Sequence, residues 1–234
     1  MIASGEPVFA AHLRAIEALA PALQAIGDAP PPAPRWNQDW FPRLDAAAAY
    51  AMVRRHRPAR IVEVGSGHST RFLARAVADG GLETRITAID PRPRASLEGL
   101  AIELLLTPVQ ATGGEPFAAL AKGDVLFVDS SHQYRPGSDV AFIFEQVLPA
   151  LPVGVFVHFH DIFLPGAYPA QWAWRRYSEQ PAVAAQLAGG GYAVEFSSAW
   201  IVARRPDWLA SGVLARLPLL PGALESSLWL RRIG

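Results

Sequence analysis

The chain has 234 residues, 51% of them hydrophobic, a formal net charge of +0 and no cysteine. That length and apolar content suit one compact α/β domain with a modest N-terminal extension, and they exclude a disordered chain. Neutrality argues against a dedicated nucleic-acid binder, which carries a basic excess to neutralise phosphates. The lack of thiols excludes disulfides, zinc–thiolate sites and cysteine nucleophiles.

Glu6, His12, Arg14 and Glu17 interrupt any apolar run in the first twenty residues, so no secretory signal pattern is present. No stretch is long enough to span a bilayer. The expectation is a cytoplasmic protein with no membrane partner.

Apolar residues at helical spacing over 7–26 (Val8, Phe9, Leu13, Ile16, Leu19, Leu23, Ile26) predict an amphipathic helix, bent at Pro21. Ala29-Pro30-Pro31-Pro32-Ala33-Pro34 is a stiff linker, and Trp36, Trp40 and Phe41 follow it. Those aromatics suit a lid, a dimer arm, or packing of the extension on the domain. The domain boundary falls at residue 44, with 1–44 as helix and linker and 45–234 as the α/β domain. A helix is expected from Leu44 to Arg57, stopped by Pro58.

From residue 60 onward, short β-branched runs alternate with helical stretches. Strands are expected at 61–64, 85–89, 102–106, 125–128, 153–159, 192–196 and 227–230. Helices are expected at 70–78, at 138–148 with Ser138 as its cap, and over 170–188 as one helix of fifteen residues or more. Alternation of this kind implies a parallel sheet covered on both faces. Ligands of such sheets bind beyond the carboxyl ends of the strands, where strand order switches. Those ends carry Glu63, Gly65 and Gly67; Asp90; Asp129 and His132; His160 and Asp161.

Val62-Glu63-Val64-Gly65-Ser66-Gly67-His68-Ser69-Thr70 joins a strand to a helix. Glycines allow a tight turn and close approach to a ligand, and the helix start offers free N–H groups. Asp90, 23 residues after Gly67 at the next strand's end, is placed to accept both hydroxyls of a ribose. Three readings compete: a ligand-free strand–helix turn, a dinucleotide site, and an S-adenosylmethionine site. A dinucleotide fold wants a third glycine where Thr70 stands. S-adenosylmethionine has no pyrophosphate, and Glu63 suits its cationic amino-acid end.

Glu63-Val64-Gly65-Ser66-Gly67 resembles motif I of class I S-adenosylmethionine-dependent methyltransferases. Ala88-Ile89-Asp90 looks like the acidic motif after their second strand. Phe127-Val128-Asp129-Ser130-Ser131-His132 and His158-Phe159-His160-Asp161-Ile162 are similar to a small-molecule branch with DxxH and HD after strands four and five. The resemblance spans roughly residues 45–165. It implies a Rossmann-like, mostly parallel seven-stranded sheet with helices on both faces, behind an N-terminal helical extension. It also implies that Glu63, Gly65, Ser66 and Gly67 line the methionine end, that Asp90 holds the ribose, that Gln110 contacts adenine and that Asp129 borders the cofactor.

Methyl transfer to a hydroxyl needs an aligned nucleophile and a group that removes its proton. Two mechanisms fit the residues after strands four and five. In one, His160 or His132 is the base, oriented by Asp161 or Asp129. Activity then resists chelators and falls below a pKa near that of histidine, about 6.5. In the other, Asp129, His160 and Asp161 hold a divalent cation that lowers the hydroxyl's pKa, although Ile162 replaces the Asn of the catechol-type pattern. His132 is placed in an exposed loop, and His158, deeper in its strand, is assigned a structural role. The Asn/Asp-Pro-Pro-Tyr/Phe tetrapeptide of amino-methylating enzymes is absent, which favours oxygen. The expected activity is O-methylation of a small molecule such as a sugar or secondary metabolite, with a homodimer as the candidate assembly and without a nucleic-acid partner. The alternatives are an NAD-dependent oxidoreductase and a non-catalytic S-adenosylmethionine-binding protein.

Overall fold

The computed structural model describes residues 2–234. The strands are β1 (Arg60–Val64), β2 (Arg85–Ile89), β3 (Glu103–Leu105), β4 (Val125–Val128), β5 (Phe156–Phe159), β6 (Tyr192–Ser197) and β7 (Leu228–Arg232). They form one sheet in the order β3-β2-β1-β4-β5-β7-β6. The neighbours from β3 to β5 pair in parallel, and β7 runs antiparallel to both β5 and β6. Every residue of β4 and β5 is buried, as continuous apolar runs require when helices cover both faces. Strand order reverses between β1 and β4, so a crevice opens beyond Val64 and Val128.

The helices are α1 (Glu6–Ala18), α2 (Ala20–Gln24), α3 (Arg43–His56), α4 (His68–Asp79), α5 (Glu115–Ala118), α6 (Asp139–Phe142), α7 (Leu148–Ala150), α8 (Gln180–Ala188), α9 (Ser198–Arg204) and α10 (Gly212–Arg216). A π-turn over Ile143–Val147 joins α6 to α7, and Ser138 caps α6 by accepting from the Ala141 N–H at 3.0 Å. Arg57, left-handed at φ 48°, closes α3 immediately before Pro58.

The N-terminal segment shares the core of the sheet. Phe9 and Ile16 of α1 and Leu23 of α2 are fully buried, and α1 packs on α3 and β6. The bend comes at Leu19, two residues before Pro21. Trp36 and Phe41 are buried against Phe72, and Trp36 Nε1 donates to the Leu23 carbonyl at 3.2 Å. These two rings are core, not lid; of the three aromatics only Trp40 is exposed.

The single helix expected over 170–188 is two pieces. A 3-10 turn at Ala170–Arg175 ends at left-handed Arg176, and α8 starts afresh at Gln180. Pro181 explains the restart: it suits a first helical turn but cannot donate to a preceding one.

Candidate functional site

Gly65 turns the chain at the end of β1 with φ +83°, and its N–H donates to the Ile89 carbonyl at 2.9 Å. A Cβ there would lie 1.8 Å from the Asp129 carbonyl oxygen, so only glycine fits. The Gly67 N–H donates to Thr70 Oγ1 at 2.9 Å, half of a capping box at the start of α4. Thr70 thus has a cap to make where a dinucleotide fold would need a glycine. Ser66 donates to Asp90 Oδ2 through both its N–H and its Oγ, each at 2.9 Å, while the Arg92 N–H reaches Asp90 Oδ1 at 2.8 Å. The expected ribose carboxylate therefore also ties the glycine loop to the end of β2.

Glu63 is fully buried. Ser69 Oγ donates to its Oε1 at 2.6 Å, and Oε2 has no partner. Burial first, then the nearby charges of Asp129 and Asp90, push its pKa up to about 8 against hydrogen bonds from Ser69 and Thr70. An unpartnered carboxyl oxygen at the motif I turn fits a cationic amino group. Beside it, a side chain at Gly67 would meet nothing within 4 Å, so the space over the turn is open. Gln110 sits in a 3-10 turn at Val109–Thr112 after β3, and its Nε2 donates to the Gly137 carbonyl at 2.9 Å.

Beyond β4 and β5, Asp129, His132, His160 and Asp161 converge. His132 Nε2 lies 3.3 Å from Asp129 Oδ1 and 3.6 Å from Asp161 Oδ2. His160 Nδ1 lies 3.4 Å from Asp129 Oδ1 and 3.5 Å from Asp161 Oδ1. His132 is buried, contrary to its expected exposure. The 178–179 segment covers it: the Ser178 N–H donates to the His132 carbonyl at 2.8 Å, and Glu179 Oε2 meets His132 Nδ1 at 3.0 Å. His132 and Asp161 are both left-handed, at φ 57° and 56°, a strain on the order of 1–3 kcal/mol each for non-glycine residues.

Each histidine is thus gripped from behind. Glu179 holds the far nitrogen of His132, and Asp45, the third residue of α3, meets His160 Nε2 at 3.2 Å. Asp45 is fully buried and accepts from the Ser226 and Ser227 N–H groups at the approach to β7. Ser226 Oγ donates to Asp161 Oδ1 at 3.0 Å. The sequence pairs His160 with Asp161; the structure gives it Asp45 as its closest partner. His158, one pleat below, is fully buried with Nε2 2.8 Å from Ser227 Oγ and its ring stacked 3.7 Å from that of Phe127.

Burial is the strongest influence on His160 and opposes its charge. The charges of Asp129 and Asp161, with hydrogen bonds to Asp129 and Asp45, outweigh it and hold the pKa well above the histidine range. His132 behaves alike: burial opposes the charge, and Asp129, Glu179 and Asp161 overcome it. Burial would raise Asp129, but the His160 charge and contacts to both imidazoles hold it well below the carboxylate range. The cluster is a ring of alternating charge. Among the described residues no group of three or more His, Asp or Glu is arranged to hold a metal ion.

Asp45, Glu179 and Ser226 carry no motif. Asp45 had one legible signal, a lone carboxylate amid Leu44 and four alanines on a helix that is buried from Leu44 to Val53. Glu179 had none.

The fold and its site define a class. Residues 62–162 match the family model described as a methyltransferase domain. Two solved structures share the fold over nearly the whole chain. The Podospora anserina methyltransferase PaMTH1, solved with S-adenosylhomocysteine bound, is 17% identical with a TM-score of 0.50, over 94% of this chain and 88% of that one. A candidate O-methyltransferase from Klebsiella pneumoniae is 12% identical with a TM-score of 0.51, over 99% and 97%. No curated protein matches the chain. Residues 62–162 thus resemble a methyltransferase domain, set in a fold shared with a methyltransferase solved with S-adenosylhomocysteine bound. No helix among the described residues is long and apolar enough to cross a membrane.

Proposed function

We propose that the protein O-methylates a small molecule, such as a sugar or secondary metabolite, with His160 as the base that takes the hydroxyl proton. The observation that carries this is the orientation of His160: Asp45 fixes Nε2, which leaves Nδ1 facing Asp129 and Asp161 at the crevice edge. The cofactor supplies an electrophilic methyl group. Glu63, Gly65, Ser66 and Gly67 surround its methionine end in this reading, Asp90 accepts from the ribose, and Gln110 serves adenine through its free amide oxygen. Asp129, with its side chain 27% exposed, is the most open member of the cluster and borders both cofactor and acceptor.

An acceptor hydroxyl that donates to the unprotonated Nδ1 of His160 is positioned for attack, and its proton passes to that nitrogen as the C–O bond forms, the methyl–sulfur bond breaks and S-adenosylhomocysteine leaves. Neutral net charge supports a small acceptor over a nucleic acid. Cytoplasmic location and action as a monomer or homodimer complete the proposal.

A second reading uses Asp129, His160 and Asp161 as ligands of a divalent cation. It is favoured by the buried carboxylate behind each imidazole, an arrangement that also orients metal-bound histidines. The test compares His160→Ala and Asp161→Ala with the parent for methyl transfer and S-adenosylhomocysteine binding, with and without chelator. The base reading expects lost turnover, intact cofactor binding and no chelator effect. Chelator-abolished activity restored by one divalent ion supports the cation. Near-normal turnover in both variants leaves the cluster a structural feature.

A further inference from the structure

A cavity of about 600 Å³ lies apart from every residue of the candidate site. That volume falls within the range of about 300–1,000 Å³ usual for small-molecule pockets. It is walled by the 3-10 turn before α1, the loop after β5, α8 and α9. Ile2, Leu164, Leu187 and Trp200 give it apolar sides, and Ala184 of α8, with only a methyl group to offer, leaves the space open. The walls are fixed to one another. The Phe163 N–H donates to Gln180 Oε1 at 2.6 Å, and Gln180 Nε2 donates to the Gly166 carbonyl at 2.8 Å, which ties the loop to the first turn of α8. Trp200 is buried edge-to-face against Phe9, with ring centroids 5.5 Å apart.

Three charged residues line this cavity, and two of them are spent. Glu6 and Arg205 pair with each other, and Arg205 also holds Asp207 at 3.1 Å and stacks 4.0 Å over the Trp208 ring. Arg204, the last residue of α9, is exposed and has no ion pair or hydrogen bond among the described residues. An apolar cavity with one spare cation on its rim is complementary to an amphipathic monoanion. The apolar body leaves water inside the cavity. The anionic head stays in the wet mouth beside Arg204, so the ion pair avoids the desolvation cost of a buried one.

We propose that this cavity binds an aliphatic carboxylic acid, chain inward and carboxylate at Arg204, at a site separate from those of the methyl donor and acceptor. The inference does not rest on the O-methylation reading.

The probes are decanoate, hexanoate and decyltrimethylammonium, each titrated calorimetrically into the full chain below its micelle concentration. Decanoate is expected to bind about tenfold or more tighter than hexanoate, because four further methylenes leave water. It should also exceed the cation of equal chain length by about fivefold, the scale of an exposed charge pair. Arg204→Gln removes most of that charge preference and keeps the chain-length dependence. Ala184→Phe fills the cavity and weakens decanoate by about tenfold or more; if that variant fails to fold, Arg204→Gln, at an exposed position, still decides. His160→Ala leaves decanoate affinity unchanged, as a separate site requires. Failure of decanoate to bind, equal binding of acid and cation, a preference that survives in Arg204→Gln, undiminished binding in folded Ala184→Phe, or weakened binding in His160→Ala overturns the assignment. So does a dimer that Ala184→Phe dissociates in a chain that binds no decanoate, since the cavity then receives a second copy.

Discussion

The two halves of the sheet's carboxyl edge are built differently. The β1–β2 half is made of backbone and short side chains: Ser66, Gly67 and Thr70 satisfy one another or Asp90, and Gly65 bonds the Ile89 carbonyl. The β4–β5 half is a charged ring completed by distant segments, with Asp45 before the sheet and Glu179 and Ser226 after β5. The first half offers a fixed shape with open space over the glycine turn. The second spends buried charge to set two imidazoles, and the proposed function puts chemistry and choice of acceptor there.

The largest test of this division is the point where the glycine turn meets the backbone of Asp129. Gly65→Ala puts a Cβ into the Asp129 carbonyl and strains a left-handed position that alone costs on the order of 1–3 kcal/mol. The melting temperature is expected to fall and S-adenosylhomocysteine binding to be lost by calorimetry. Unchanged melting and affinity would show that the halves are not locked together. Next, His160→Ala should lower kcat by about 10²–10⁴-fold, the range of a lost general base. Its S-adenosylhomocysteine affinity should hold, because no contact links His160 to the glycine loop. A parallel loss of affinity would erase the division of labour.

Asp90→Ala works from the other side. It removes the acceptor of both Ser66 bonds and of the ribose, and is expected to weaken cofactor binding about tenfold or more while leaving kcat at saturation near the parent's. A kcat loss as deep as that of His160→Ala would contradict the division.

The subtlest test is pH. The His160 pKa is raised, so the free enzyme carries this residue protonated through the ordinary histidine range, and a base must first lose that proton. The kcat/KM profile should therefore climb through a pKa above about 6.5, higher than sequence reasoning placed it. Asp45→Asn removes a carboxylate that favours the charged form, so the limb should move to lower pH. A limb that stays put would mean His160 is not the titrating base.

The cofactor half was legible because its residues signal locally. A β-branched run, Gly-Ser-Gly and an acid after the next strand lie within thirty residues and follow backbone needs. All seven strands could be placed, even β3, whose exposed Glu103 and two half-buried leucines give the weakest signal. The acceptor half was legible only in its first layer, Asp129, His132, His160 and Asp161. Its second layer depends on contacts between residues 115 and 47 positions apart, His160 with Asp45 and His132 with Glu179, and such contacts leave no period in the chain. Trp36 and Phe41 stayed open between lid, arm and packing for the same reason: aromatics beside prolines suit any of these until Phe72 is seen against them.

The 1.8 Å between a hypothetical Cβ on residue 65 and the carbonyl of Asp129 also sets terms for recombination. Acceptor preference could be changed by exchanging the loops after β4 and β5 between related enzymes. Such a graft must preserve the path of the backbone leaving β4, where the Asp129 N–H is bonded to Val64 at 2.9 Å. A donor loop that leaves the strand even slightly closer would push on the glycine turn and disturb the cofactor pocket before it reached any acceptor. Chimeras joined after Asp129 should therefore tolerate foreign sequence better than chimeras joined within β4.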